Sequence, residues 1–278
     1  MPEGDTIFRA ARALKRALAG RTVTSFESVY PALTRVDAQT PLAGRTVEDV
    51  SARGKHLLMV FSGDLILRTH MRMHGSWHLY RPGERWHRPA REMRVTIGTD
   101  AYVAVAFDVP DAEFIDRRLL SRHRQLAELG PDPLDPSFDA NDVIRRIRAC
   151  GSATIADLLL NQRVVAGIGN VFKSEVLFVA GVNPVAIASA LDDETLHRVL
   201  DVARRQLRSN ASPQSQRLTP ARGRRTTGSL HPSKGLWVYG RAGEPCRKCA
   251  TPVRLDKQGR DARLTYWCPS CQRERPRS

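Results

Sequence analysis

A chain of 278 residues is long enough for two domains, or for one with an appendage, with ample core. No apolar run approaches the roughly 20 residues that a membrane span needs, and the start Met-Pro-Glu-Gly-Asp lacks the charged-then-apolar pattern of a leader, so the chain reads as cytoplasmic with no membrane partner. The formal charge of +15 is unevenly placed: residues 202–278 hold 18 Lys/Arg against 4 Asp/Glu, residues 1–201 hold 26 against 25, and such a surplus fits a polyanion, most simply a nucleic-acid backbone, unless it is only a solubilising tail.

Pro2 and Glu3 come first in chain order. Proline is small enough for Met1 to be trimmed, which leaves a secondary amine at the chain end. An α-amino group titrates near ~7.7–8.0, so an unprotonated fraction exists at neutral pH. Such an amine can attack an aldehyde-like carbon, and a carboxylate one residue away can shuttle the protons. Many chains begin Met-Pro without any chemistry, so the rest of the sequence has to carry the case.

Asp5–Ala19 reads as a helix, with Ile7, Phe8, Ala11, Leu14 and Leu18 on one face and Gly20 as its stop. Strand signals follow at Thr22–Val29, Thr46–Ser51, His56–Phe61, Leu65–Thr69, Met93–Ile97 and Tyr102–Phe107, with Ser62-Gly63 and Gly98-Thr99 as hairpin turns. They predict a β-sandwich of about 100 residues opened by the first helix, within a domain spanning 1–130. Lys55 follows Gly54 at the head of an apolar strand, a position that a solvated end residue fills equally well. His70, His74, His78 and His87 lack the carboxylate context of a helical zinc motif and are read as strand and loop residues.

Gly130–Pro136 alternates proline and aspartate and marks a rigid linker over 131–140. Helical periodicity then predicts Asn141–Ala149, Ala153–Gln162, Asn170–Ala180 and Asp192–Leu207 within a domain spanning 141–235. Between the second and third lies Gln162–Asn170, where glycines allow close backbone approach and the free N–H groups of a helix start favour an anion. Asn170 can cap that helix or donate to a phosphate, although a plain packing turn has the same sequence. Residues 209–234 are polar, Arg-rich and broken by Gly and Pro, and read as a mobile loop.

The last element, 236–278, carries Cys246-x2-Cys249-x18-Cys268-x2-Cys271. Two such knuckles can give four thiolates to one tetrahedral Zn2+, and an all-cysteine shell leaves no open position for catalysis. The zinc is therefore structural. It would hold the hairpin Pro252–Trp267 with Arg254, Arg260 and Arg263. Cys150 is left over as a small core residue.

Taken together, Pro2-Glu3-Gly4, Arg53-Gly54-Lys55, Gly167-Ile168-Gly169-Asn170, Trp237–Cys246 and Tyr266–Gln272 resemble the formamidopyrimidine-DNA glycosylase/endonuclease VIII family. The motifs stand in the family's order and span nearly the whole chain. The resemblance implies an α+β, multidomain chain: an N-terminal helix plus β-sandwich, then a helix–two-turn–helix domain with a C-terminal zinc ribbon. It implies damaged double-stranded DNA as partner, running in the cleft between the two, and a monomeric bacterial repair enzyme.

By the same resemblance Pro2 attacks C1′ of the damaged nucleotide, Glu3 protonates the opening sugar, and Lys55 is a second proton donor. Arg263 occupies the zinc-hairpin position that grips the lesion phosphate, and Asn170 holds the same stretch of backbone. Arg241 is a further DNA-binding residue. Arg72-Met73-His74 matches the void-filling loop, with Met73 as wedge, though Met73 could also be ordinary core. The activity implied is base removal followed by β,δ-elimination, on oxidised pyrimidines in particular because Gly4 stands on the endonuclease VIII side. An 8-oxoguanine/formamidopyrimidine-preferring member of the family, or a non-catalytic zinc-ribbon protein that binds DNA damage, are the alternatives. Asp5-Thr6 departs from the usual Pro-Glu and leaves the lesion preference open.

Overall fold

The computed structural model describes residues 2–212, 223–229, 231–259 and 262–273. Its first helix, α1 (Gly4–Leu18), follows the expected apolar stripe: Ile7, Ala10, Ala11, Leu14, Ala17 and Leu18 are buried, while Phe8 is half-buried. After β1 (Val23–Ser28) comes α2 (Pro31–Gln39), which the sequence did not announce. It starts on Pro31 and buries only Leu33, so it has almost no apolar period to read. The strands β2 (Val47–Arg53), β3 (His56–Phe61), β4 (Leu65–His70), β5 (Ser76–Tyr80), β6 (Met93–Thr99), β7 (Val103–Phe107) and β8 (Asp111–Ile115) follow.

Strand order is β1-β6-β7-β5 in one four-stranded sheet and β2-β3-β4-β8 in the other, with antiparallel pairing throughout. The predicted sandwich is therefore present, with two strands added. β5 was hidden among histidines, and β8 is an edge strand whose Asp111 and Glu113 mask its alternation. The turn expected at Gly98-Thr99 lies further on, because both residues belong to β6 and Gly98 pairs with Val103. A Cβ at Gly98 would crowd the Ser25 hydroxyl on the neighbouring strand unless that side chain turned away.

The period of two sorts the second sheet into faces. Leu57, Met59, Phe61 and Leu67 join the sandwich core with Val50, Trp77, Ile97 and Ala106, and α1 packs on β2, β3 and β5. The opposite face carries the pairs His56–His70, Leu58–Arg68, Arg68–Glu113 and His70–Asp111. Beyond β8 lie the short helices α3 (Arg117–Arg122) and α4 (Arg124–Ala127).

Residues up to Glu128 form one compact unit, and Leu129–Asn210 with the described residues from 223 onward form the other. Gly130–Pro136 does not stand apart from the second unit: Gly130 donates its N–H to Gln162, and Ala166 donates to Pro131. The second unit contains α5 (Ala140–Arg148), α6 (Ile155–Leu160), α7 (Asn170–Ala180) and α8 (Asp193–Ala211), then the hairpin β9 (Arg254–Gln258) and β10 (Arg263–Trp267). α8 runs four residues past its expected end, into the segment read as a loop. Of that segment, 213–222 and Leu230 lie outside the described residues. The rest is tied down: Asn210 donates to the Arg225 carbonyl and accepts its N–H, both at 2.8 Å.

The β4–β5 connection brings backbone against backbone at Gly75. Gly75 donates to the Met71 carbonyl, and a Cβ there would lie 2.5 Å from that oxygen and 3.0 Å from the Asp108 carbonyl. Both obstacles are backbone and cannot swing away. Gly75→Ala should therefore lower stability by about 1–3 kcal/mol, measured as a fall in the urea midpoint. An unchanged midpoint would refute this close approach.

Candidate functional site

The proposed nucleophile and acid sit where the chain enters α1. Pro2 is half-buried, and Glu3 is fully buried in extended conformation, with its carbonyl accepting the Thr6 and Ile7 N–H groups. Its backbone thus caps the helix while its side chain stays out of water. Thr6 donates its hydroxyl to Asp5, and Asp5, also fully buried, pairs with Arg9 at 3.9 Å.

Lys55 occupies the turn of the β2–β3 hairpin, between the paired residues Arg53 and His56. Gly54 precedes it at φ +59°, the left-handed conformation that a two-residue turn of this kind needs. Beside it, His56 stacks edge-on against His70 at 4.9 Å and meets Arg68 at 2.8 Å through Nδ1. Arg68 is buried and paired with Glu113, which also contacts His123 at 2.8 Å. Burial, then His70 and Arg68, hold the His56 imidazole down to about 2. Burial and then Arg72 hold His70 down to about 4. Both rings are neutral at physiological pH, so the positive charge on this face comes from Lys and Arg.

The loop after β4 has the form of a presented finger. Met71 is buried as its anchor, while Arg72, Met73 and His74 are exposed. Arg72 adopts φ +48°, a left-handed conformation unusual for arginine, held by its N–H to His70 Nδ1 and by an ion pair with Asp111 at 2.6 Å. Met73 is 49 % exposed, which excludes the reading of it as core.

In the second unit the Gln162–Asn170 loop is stapled by one side chain. Gln162 accepts from the Gly167 N–H and donates to the Leu160 and Ile168 carbonyls, each at 3.0 Å. Gly169, not Asn170, takes the N-cap position of α7. Asn170 instead donates through Nδ2 to the Leu264 carbonyl at 2.8 Å, and its buried Oδ1 has no partner among the described residues. Leu264 follows Arg263 in β10, so Asn170 and the finger arginine are brought together. Arg263 is exposed. Arg260 lies outside the described residues.

Sequence reasoning missed Glu175. It is fully buried and accepts the N–H groups of Trp237, Val238 and Tyr239 at 2.8 Å, with the Thr226 hydroxyl as a fourth donor. Burial pushes its carboxyl up from the usual range, and the four donors oppose that rise. The available signal was a charged pair, Lys173 and Glu175, inside a helix buried on all sides. Arg241 lies just before the first cysteine pair. Its guanidinium pairs with Glu244 at 2.9 Å and donates to the Trp237 and Pro245 carbonyls, leaving its side chain 11 % exposed. It braces the entry to the finger.

Cys246, Cys249, Cys268 and Cys271 place their Sγ atoms within 4.8 Å of one another, with separations of 3.4, 3.5 and 3.9 Å among them. A metal–sulfur bond of about 2.3 Å needs tetrahedral edges near ~3.8 Å, so the four thiols fit one ion. Gln272 ties this knot to α7's end, accepting from the Cys268 N–H at 2.9 Å and donating to the Val182 carbonyl at 2.8 Å.

A sandwich opened by a buried helix, followed by a helix–two-turn–helix unit with a four-cysteine hairpin, is the architecture of a class of DNA-repair glycosylases. The formamidopyrimidine-DNA glycosylase N-terminal domain matches residues 1–122, and the H2TH domain of the same enzymes matches residues 129–217. The chain is 41 % identical to a probable endonuclease 8 2 of Streptomyces coelicolor, covering 98 % of this chain and 94 % of that protein. It is 38 % identical to the DNA-(apurinic or apyrimidinic site) lyase Nei2 of Mycolicibacterium smegmatis, covering 98 % and 99 %. Among solved structures, Lactococcus lactis Fpg in complex with an abasic-site DNA superposes with a TM-score of 0.80 at 26 % identity, covering 98 % of this chain and 100 % of that one. The chain belongs to the formamidopyrimidine-DNA glycosylase/endonuclease VIII family.

The depressed histidines make stability depend on pH in a defined direction. His70 and His78 titrate near 4 when folded and 6.5 as free side chains, so the unfolded chain takes up their protons first as pH falls. Their contribution is complete above pH 6.5 and is lost on the way down to about 4, at roughly 1.4 kcal/mol per pH unit for each ring. His78→Gln should flatten the fall in thermal midpoint between pH 6.5 and 4.5. An unchanged slope would show that His78 titrates normally.

Proposed function

We propose that the chain is a bifunctional DNA glycosylase and AP lyase of base-excision repair, acting on oxidised bases, pyrimidines favoured, in double-stranded DNA. The tie from Asn170 to Leu264 carries this reading, because it sets Arg263 beside the start of α7 in a chain of this family. The proposed enzyme is a monomer of the bacterial cytoplasm, associated with the nucleoid through DNA. Its four cysteines hold one structural Zn2+, which fixes the hairpin bearing Arg263.

Removal of Met1 frees the Pro2 nitrogen, whose lone pair bonds to C1′ as the C1′–base bond breaks and the base leaves with a proton. Glu3 protonates the sugar oxygen as the ring opens, which leaves an iminium between Pro2 and C1′. The iminium acidifies C2′. Loss of that proton sends its electron pair to expel the 3′ phosphate, and a second proton loss expels the 5′ phosphate. Water then releases the sugar remnant from Pro2. Lys55 supplies protons near the sugar, and Arg263 with Asn170 holds the lesion phosphate as charge builds on it. Met73 enters the stack that the extruded nucleotide vacates, with Arg72 and His74 beside it. Arg241 adds to DNA binding from the entry to the finger, which its guanidinium braces.

Borohydride should trap a covalent adduct on lesion duplex by reducing the iminium, and Pro2→Gly should abolish it. An adduct formed as well by that variant would remove Pro2 as nucleophile. Glu3→Gln should slow base removal by about 100-fold or more while still trapping a preformed abasic site. A nicking panel of thymine glycol, 5-hydroxycytosine, dihydrouracil and 8-oxoguanine duplexes measures the pyrimidine preference, and faster 8-oxoguanine cleavage would reverse it.

A further inference from the structure

Lys173 is a cation buried to 1 % exposure in the first half of α7, and no step above uses it. Its Nζ donates to the Thr265 hydroxyl at 2.7 Å and to the Leu264 carbonyl at 3.2 Å. The Leu264 carbonyl thereby receives two donors from α7, since Asn170 is bound to it as well. Thr265, fully buried, passes its own hydroxyl proton to Gln258 Oε1 at 2.9 Å, and Gln258 is the residue paired with Arg263 across the hairpin. Ser174, next to Lys173 and one turn on from Asn170, accepts the Tyr266 N–H on its hydroxyl at 3.3 Å. Positions 170, 173 and 174 share one helix face, so three consecutive residues after Arg263 are gripped from a single surface. Gly259, just past β9, is also close to the helices, because a Cβ there would lie 2.4 Å from Asp157 of α6.

We propose that Lys173 is a positioning residue for Arg263. Its ammonium has three donors on a long stem, and two of them go to the Leu264 carbonyl, one residue past Arg263, and to the Thr265 hydroxyl, which in turn donates to Gln258, the cross-hairpin partner of Arg263. A charge-assisted hydrogen bond is short and directional, so it defines the backbone from which the guanidinium projects. The two donors on Leu264, with the contacts to Thr265 and Tyr266, fix the register of β10 against α7. The inference rests on the reading of Arg263 as the group that holds the phosphate through the second elimination.

The test uses the full-length protein with its metal and a 5′-labelled duplex containing one abasic site, under single turnover. The measured quantity is the ratio of 3′-phosphate ends, from β,δ-elimination, to 3′-unsaturated aldehyde ends, from β-elimination alone. Lys173→Met should lower that ratio about tenfold, with one equivalent of metal retained and borohydride trapping intact, and Lys173→Arg should recover it. Arg263→Gln is the control and should lower the ratio at least as far. If Arg263→Gln lowers it and Lys173→Met does not, the positioning role is wrong. If Lys173→Met loses metal and trapping together with the ratio, Lys173 only stabilises the finger and the proposal fails. A ratio unmoved by Arg263→Gln removes the reading of Arg263 and this inference with it.

Discussion

Three consecutive backbone N–H groups, at Trp237, Val238 and Tyr239, converge on the one carboxylate of Glu175. A buried carboxylate is costly unless its lone pairs are met, and here four donors meet them. The chain leading into the four-cysteine knot is thereby pinned to the middle of α7. Around that clamp the same helix holds β10 through Asn170, Lys173 and Ser174, and Gln272 closes the far end on Val182. The finger is thus a part of the helical unit's own packing rather than a module hung from it. A single helix, buried on nearly all sides, holds the strand that begins with the exposed Arg263.

The first unit solves a different problem, which is to carry reactive and basic side chains without losing its core. Strand alternation does most of this: Leu57, Met59 and Leu67 face inward, while His56, Arg68 and His70 face the other way. The histidines are kept neutral by burial, so they can pack beside Lys55 and Arg72 without adding repulsion. Arg72 accepts a left-handed backbone because His70 and Asp111 hold it there. That rigidity lets an apolar residue, Met73, stay exposed at the loop tip instead of collapsing inward.

The amino-acid sequence alone determined the class of the molecule and much of its layout. The apolar stripe of α1, the alternation of β3 and the CxxC pairs are local periodicities, and local periodicity is written directly in sequence. The motifs at Pro2-Glu3, Gly54-Lys55 and Gly167–Asn170 were legible for the same reason, since each depends on residue types a few positions apart. Elements without a period were not legible: α2 with one buried side chain, β8 with its acids, and the start of the loop after Leu207, which continues as helix to Ala211. Only the tertiary structure decided which polar groups meet across long separations. Arg241 donates to carbonyls of its own finger, while Glu175 and Lys173, which no sequence motif singles out, are the buried links to residues some 60 to 90 positions away. Burial sets the energetic weight of a charge, and burial is a property of the packed chain, not of any stretch of it.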